Sequence, residues 1–172
     1  MDLKNLVISL RNFSQLLTAQ VAGVSAADAR WKPPSMDWSI LEIVCHLVDE
    51  EQDDFPLRLR MTLENEGGIW PSINPELTAV DRKYNEQDLN QKVNEFCHLR
   101  AASLDWLEGL RTPDWQASYA HPHLGTLQAG DIFAAWAAHD QLHVRQIAKR
   151  KYEMIRRDAG NFSVDYAGGW TN

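Results

Sequence analysis

From the first residues onward, apolar side chains return every three or four positions: Leu3, Leu6, Val7, Leu10, Phe13, Leu17, Val21 and Val24. That period lays them along one face of a helix and predicts a first helix over roughly residues 3–22. Ser25-Ala26-Ala27-Asp28 offers a weak capping signal for a short extra turn, which Pro33-Pro34 closes. Ser39 and Glu42 have the spacing of a capping box, in which the hydroxyl accepts from the Glu42 N–H and the carboxylate reaches back. A second helix follows, its pattern running through Ile40, Ile43, Val44 and Leu47 to Leu63. Pro56 falls inside it and should kink or split it, because proline has no N–H and clashes with the preceding turn.

Residues 66–87 contain Gly67, Gly68, Pro71 and Pro75 and no clear period, which reads as a long connection. Antiparallel neighbours in a bundle need only about 2–8 linking residues, so a connection of this length can carry the chain back and set helices two and three parallel. A third helix is expected from about Asp88 to Leu110, with Leu89, Val93, Phe96, Leu104 and Leu107 inside. Arg100 stands in the middle of that stripe. Either its stem packs in the core while the guanidinium reaches water, or it faces an interior polar site. Residues 111–126, with Pro113, Pro122 and Gly125, read as a loop. A fourth helix, about Leu127 to Lys151, turns Ile132, Trp136 and Ile147 inward and ends in Lys149-Arg150-Lys151, a basic run that suits a helix C-terminus. The residues after Lys151, closing on Gly168-Gly169-Trp170, read as a tail packed on the surface or on a partner, a second copy in a homodimer included. No strand alternation and no repeat is visible. The expected fold is all-α, a four-helix bundle forming one domain over 1–172.

Composition narrows the function classes. At 172 residues and 44% hydrophobic content the chain can bury a real core. No run approaches the roughly 20 apolar residues of a membrane span, and no apolar run with a cleavage site follows Met1, so neither a membrane segment nor a signal peptide is expected. The two cysteines, Cys45 and Cys97, lie inside helical patterns, which argues against a disulfide framework and for a reducing cytoplasm. A net charge of −7 without a basic stripe argues against a nucleic-acid partner and leaves a small-molecule substrate open.

The chemistry concentrates on histidine. His139 and His143 stand at i and i+4 of the fourth helix, one above the other, on the stripe that holds Ile132, Trp136 and Ile147. Two buried imidazoles can each bond a polar neighbour, or they can share a metal ion. His46, beside Ile43 and Leu47 on the second helix, adds a third inward histidine and favours the metal. Three protein nitrogens with open positions make the pattern of a catalytic ion, and neutral imidazole suits Zn, Ni, Fe or Cu. Glu50, at i+4 from His46, can orient or accept a proton at the site, or be a solvated member of Asp49-Glu50-Glu51. Gln146, one turn past His143, can fix a ligand or a substrate. His121 and His123 either line the mouth of the site or are solvated. Cys45 points about 100° away from His46 around the helix and reads as a small buried residue. His139-Asp140-x-x-His143 also has the outline of a zinc-protease motif, a weak match because Asp is shorter than the usual Glu and Lys149 stands where a third histidine would be needed.

Trp38-Ser39 followed by Glu42, then His46-Leu47, and much later His139 and His143 with Gln146, resembles the DinB/YfiT-like superfamily along nearly the whole chain. The resemblance implies an up-down-down-up four-helix bundle, a divalent ion (Zn, Ni or Fe) on His46, His139 and His143, and a small-molecule substrate. Characterised relatives include thiol-dependent S-transferases and a thiol-dependent isomerase. It therefore points to a transferase using an external low-molecular-weight thiol, or to a hydrolase using water, with Glu50, Arg100 and Gln146 as candidate catalytic residues. Arg100, Gln146 and the 111–126 loop would meet the polar groups of the thiol at the open end of the bundle, beneath an electrophile held by Trp70 or Trp115. A bundle that binds metal and a small ligand without turnover is the alternative.

Overall fold

The computed structural model describes residues 2–64 and 68–170; Gly67, one of the two glycines read as part of the long connection, lies outside them. The first helix, α1 (Leu3–Val21), is capped by the Asp2 carboxylate, which accepts from the Asn5 N–H. Ser25 caps the single turn α2 (Ala26–Arg30). The capping box at Ser39 forms as its spacing predicts. The Glu42 N–H donates to the Ser39 hydroxyl at 3.1 Å, and the Ser39 N–H donates to the Glu42 carboxylate at 2.8 Å. It starts α3 (Ile40–Asp49), in which every residue from Ile40 to Val48 is buried.

Pro56 neither breaks nor splits the second arm. Instead, the residues before it, Glu50–Asp54, widen into a π turn, and α4 (Phe55–Glu64) continues from there. Widening accommodates the proline ring and its missing N–H without ending the helix. Glu50, Glu51 and Asp54 of that turn are all buried.

The connection after α4 is not structureless. Asn74 caps α5 (Pro75–Asp81), with proline at its first position, and a 3₁₀ turn follows at Tyr84–Glu86. A seven-residue helix is too short to impose a readable period. The third long helix, α6 (Leu89–Gly109), begins at its Asp88 cap. The 111–126 segment likewise departs from a plain loop. Strands β1 (Ser118–His121) and β2 (Gly125–Gln128) pair antiparallel, Ser118 opposite Gln128, so the fold is not purely α. Four residues per strand give too little alternation to register, and Gly125, at φ +77°, closes the hairpin.

The last long helix, α7 (Ala129–Asp158), runs seven residues past the end expected from the basic run. Lys151 does cap a helix, but a neighbouring one: its Nζ donates to the Gln20 carbonyl at the end of α1. The tail makes a 3₁₀ turn at Asp165–Ala167, and Trp170 packs on Tyr152 of the same chain. The four long arms α1, α3–α4, α6 and α7 form a helical bundle. No described helix is long and apolar enough to cross a membrane.

The core has two apolar clusters, one around Phe13, Leu17, Ile43 and Phe96, the other around Leu10, Leu59, Phe133 and Trp136. Arg100 bridges them, its guanidinium over the rings of Phe13, Phe96 and Trp136. It is 1% exposed. Its nitrogens donate to Glu51 Oε2 (3.0 Å from Nε), to both Asp140 oxygens (2.6 and 3.0 Å) and to the Leu10 carbonyl (3.1 Å). The Trp136 indole N–H donates to the same Glu51 oxygen at 3.1 Å. The guanidinium thus reaches neither water nor the open end of the bundle, but an interior polar cluster of its own. Breaking a buried pair leaves uncompensated charge, so Arg100→Met is expected to lose about 3–5 kcal/mol in urea unfolding. Adding Glu51→Gln and Asp140→Asn should recover part of that loss. If Arg100→Met unfolds like the wild type, the cluster contributes nothing to stability.

Candidate metal centre

The histidines converge where the end of α3 faces the middle of α7. One donor nitrogen from each of His46, His139 and His143 lies within 4.8 Å of the others. The two Nε2 atoms on α7 stand 3.0 Å apart. The His46 ring centroid is 4.8 Å from that of His143 and 5.5 Å from that of His139. His46 and His143 are buried and His139 is half-buried. Trp38 packs on His46 and Phe55 on His139, each with centroids 5.0 Å apart.

Burial dominates the electrostatics. It pushes His46 and His139 down to about 3 and His143 to about 4, and the neighbouring imidazoles press His46 and His139 further the same way. All three rings are therefore neutral at neutral pH, each with a lone pair to offer. This donor set fits a divalent ion. Nitrogens about 2.1 Å from one ion stand about 3.0–3.4 Å apart for angles of 90–110°, and the observed 3.0 Å falls at that spacing.

The neighbours set the tautomers. The Gln146 amide oxygen lies 2.8 Å from His143 Nδ1, where it can accept that N–H and leave Nε2 free for the centre. Glu50 Oε1 stands 3.5 Å from His46 Nδ1. Glu50 is not a solvated carboxylate: it is buried, and burial followed by the charge of Asp54 pushes it up to about 8. It stands behind His46, whereas Asp49 faces Arg82 and the Tyr84 hydroxyl.

A cavity of about 700 Å³ opens over the histidines, walled by Trp38, Asp37, Pro75, Gln146, Lys149 and Arg150 among others. Several expected wall residues stand elsewhere. Arg100 and Asp140 bind each other inside the bundle, so Asp140 does not take the role of a protease base. His121 Nδ1 accepts from the backbone N–H groups of His123 and Leu124 and caps the hairpin turn. Trp70 stacks on Tyr119 and Trp115 on Phe133. The cavity wall is built by the loop before α3, the start of α5 and α7, in place of the 111–126 segment. Cys45 is buried, its thiol pushed up to about 12 by desolvation, and its Sγ donates to the Tyr84 carbonyl. Sequence reasoning missed Arg150 as a wall residue, although it continues the stripe of His139, His143 and Gln146. Glu51 was missed as an interior residue too, although it continues the stripe of Ile40, Val44 and Leu47.

The model of the DinB superfamily matches residues 9–147. A protein of Oceanobacillus iheyensis bearing the name "Putative metal-dependent hydrolase" is 26% identical over 153 residues, 87% of this chain and 79% of that one. Among solved structures, YfiT from Bacillus subtilis, described as "a probable metal-dependent hydrolase with an unusual four-helix bundle topology", is similar with a TM-score of 0.79. That likeness covers 88% of this chain and 87% of YfiT at 14% identity, and so concerns the fold.

Two outcomes follow from the geometry. Purified protein should bind about one divalent ion per chain and melt at a higher temperature with it, because the ion binds only the folded state. His143→Ala should abolish both effects, and an unchanged shift in that variant would put the ion elsewhere. In chelator-treated protein, the depressed imidazoles contribute stability that is present above about pH 6.5 and is lost as pH falls toward 3. The loss is at most about 1.4 kcal/mol per pH unit for each histidine. Urea unfolding at several pH values should show a smaller slope for His139→Gln; an equal slope would contradict the buried neutral state.

Proposed function

The chain belongs to the DinB superfamily, and on that premise we propose that it is a metal-dependent enzyme that activates a small nucleophile against a small-molecule electrophile. The observation that carries this reading is the convergence of three neutral imidazoles on the wall of one cavity. His46, His139 and His143 would hold a divalent ion such as Zn, Ni or Fe, which would supply a Lewis acid able to lower the pKa of water or of a thiol. Gln146 presents His143 by holding its Nδ1–H. Glu50 steadies His46 from behind. Trp38 and Phe55 close the apolar sides of the centre, which keeps the imidazoles desolvated and neutral. Arg100 acts at a distance, fixing the π turn against α7, and does not touch substrate. We also read the helix order as up-down-down-up. Arg11 beside Glu108 and Thr18 beside Cys97 support α6 antiparallel to α1, and Lys151 on Gln20 with Asp140 near Leu10 supports α7 parallel to α1.

The names of the relatives favour water as the nucleophile, hence hydrolysis. A second reading, thiol transfer, is favoured by the cavity: about 700 Å³ holds a thiol and an electrophile together. The thiol would come from outside, since Cys45 is buried and turned away. The test offers metal-loaded protein activated esters and amides in one series, and low-molecular-weight thiols with a model electrophile in another. His46→Ala is the control. Turnover in either series that His46→Ala abolishes supports the enzyme and chooses the nucleophile. Rates equal to the control in both series would remove catalysis and leave a protein that binds metal and a small ligand without turnover.

A further inference from the structure

Arg150 is a second deeply buried arginine, and it is held differently from Arg100. It lies in the C-terminal third of α7, 3% exposed, and it walls the histidine cavity. Where every nitrogen of Arg100 has a partner, Arg150 uses only one side of its guanidinium. Nη1 donates to Glu153, one turn on. Nε has no hydrogen-bond partner among the described residues. Among the described residues Nη2 has only Asp37, at 3.8 Å, too long for a hydrogen bond. Nε and Nη2 form the side edge of the guanidinium, the fork that grips the two oxygens of a carboxylate. Lys149 leans toward the same Asp37 carboxylate at 3.7 Å. Two cations thus face one half-exposed carboxylate, and neither is close enough to bond it. An N–H buried without a partner is costly, so this edge carries a penalty that an anion would remove.

We propose that the Nε–Nη2 edge of Arg150, with Lys149, is a carboxylate subsite of the cavity, and that the molecule this protein acts on or with carries a carboxylate. The proposal rests on the reading that the cavity is the reaction site, and it adds the polarity of its occupant. Arg150 stands seven residues after His143, about 10 Å along the helix axis. The ligand therefore has its reacting group at the histidines and its carboxylate about two helical turns away, with Gln146 between. Asp37, whose Oδ2 accepts from the Ser35 hydroxyl at 2.9 Å, stands beside that position without filling it and opposes an entering anion.

The test uses zinc-loaded protein and calorimetric titration with two probes of equal length, ω-mercaptohexanoate and ω-mercaptohexanol, so that binding is read without turnover. The acid should bind wild-type protein about tenfold or more tighter than the alcohol, the worth of a charge-assisted pair. Arg150→Lys keeps the charge but removes the fork, and should bring the ratio close to one. Asp37→Asn removes the resident carboxylate and should raise the ratio, a gain that a merely destabilised protein would not give. Equal binding of acid and alcohol to wild type and to Asp37→Asn overturns the subsite. The metal reading fails separately: there, both probes bind no better with zinc than after chelation, whatever their ratio. If the acid keeps its advantage in that case, the subsite stands and the metal centre falls.

Discussion

A guanidinium cannot shed its charge, so burying one obliges the fold to surround it. Arg100 is buried on α6 and draws a carboxylate from the π turn, another from α7 and a carbonyl from α1 to the same point. Every long arm of the bundle contributes to that shell. Because Glu51 is one residue from Glu50 and five from His46, and Asp140 is next to His139, the shell also fixes the spacing between the two helices that carry the histidines. The triad adds little net stability compared with an apolar core of the same shape. What it supplies is register: α3 and α7 cannot slide past each other without stranding charge.

The π turn is the second half of that constraint. Glu51 enters that turn from the buried stripe of Val44 and Leu47, and its carboxylate meets Arg100 there. Pro56 favours the widened turn locally, and Arg100 rewards it globally. The same dense packing that makes the triad possible desolvates the imidazoles and holds them neutral, the state in which they are ligands.

Long-period features were legible in the sequence and short or tertiary ones were not. The stripes of α1, α3, α6 and α7 ran long enough to reveal helices, and the Ser39–Glu42 capping box located the start of α3 to the residue. His46, His139 and His143 were visible because helical spacing alone put each on an inward face. The hairpin at 118–128 and the helix α5 were too short to show a period. The end of α7 was misplaced because Lys149-Arg150-Lys151 suits a terminus. There, Arg150 instead faces the cavity and Lys151 caps α1. Arg100 was visible as an anomaly, but its partners lie 40 and 49 residues away in the chain, and no local pattern encodes them.

A working metal centre requires the three imidazoles to act together on one ion, and X-ray absorption of the zinc-loaded protein tests this directly. The spectrum should show three imidazole nitrogens bound at about 2.0–2.1 Å, with the outer-ring scattering of histidine. In His139→Gln the imidazole count should drop. A shell built of sulfur, or of oxygen alone, would contradict it.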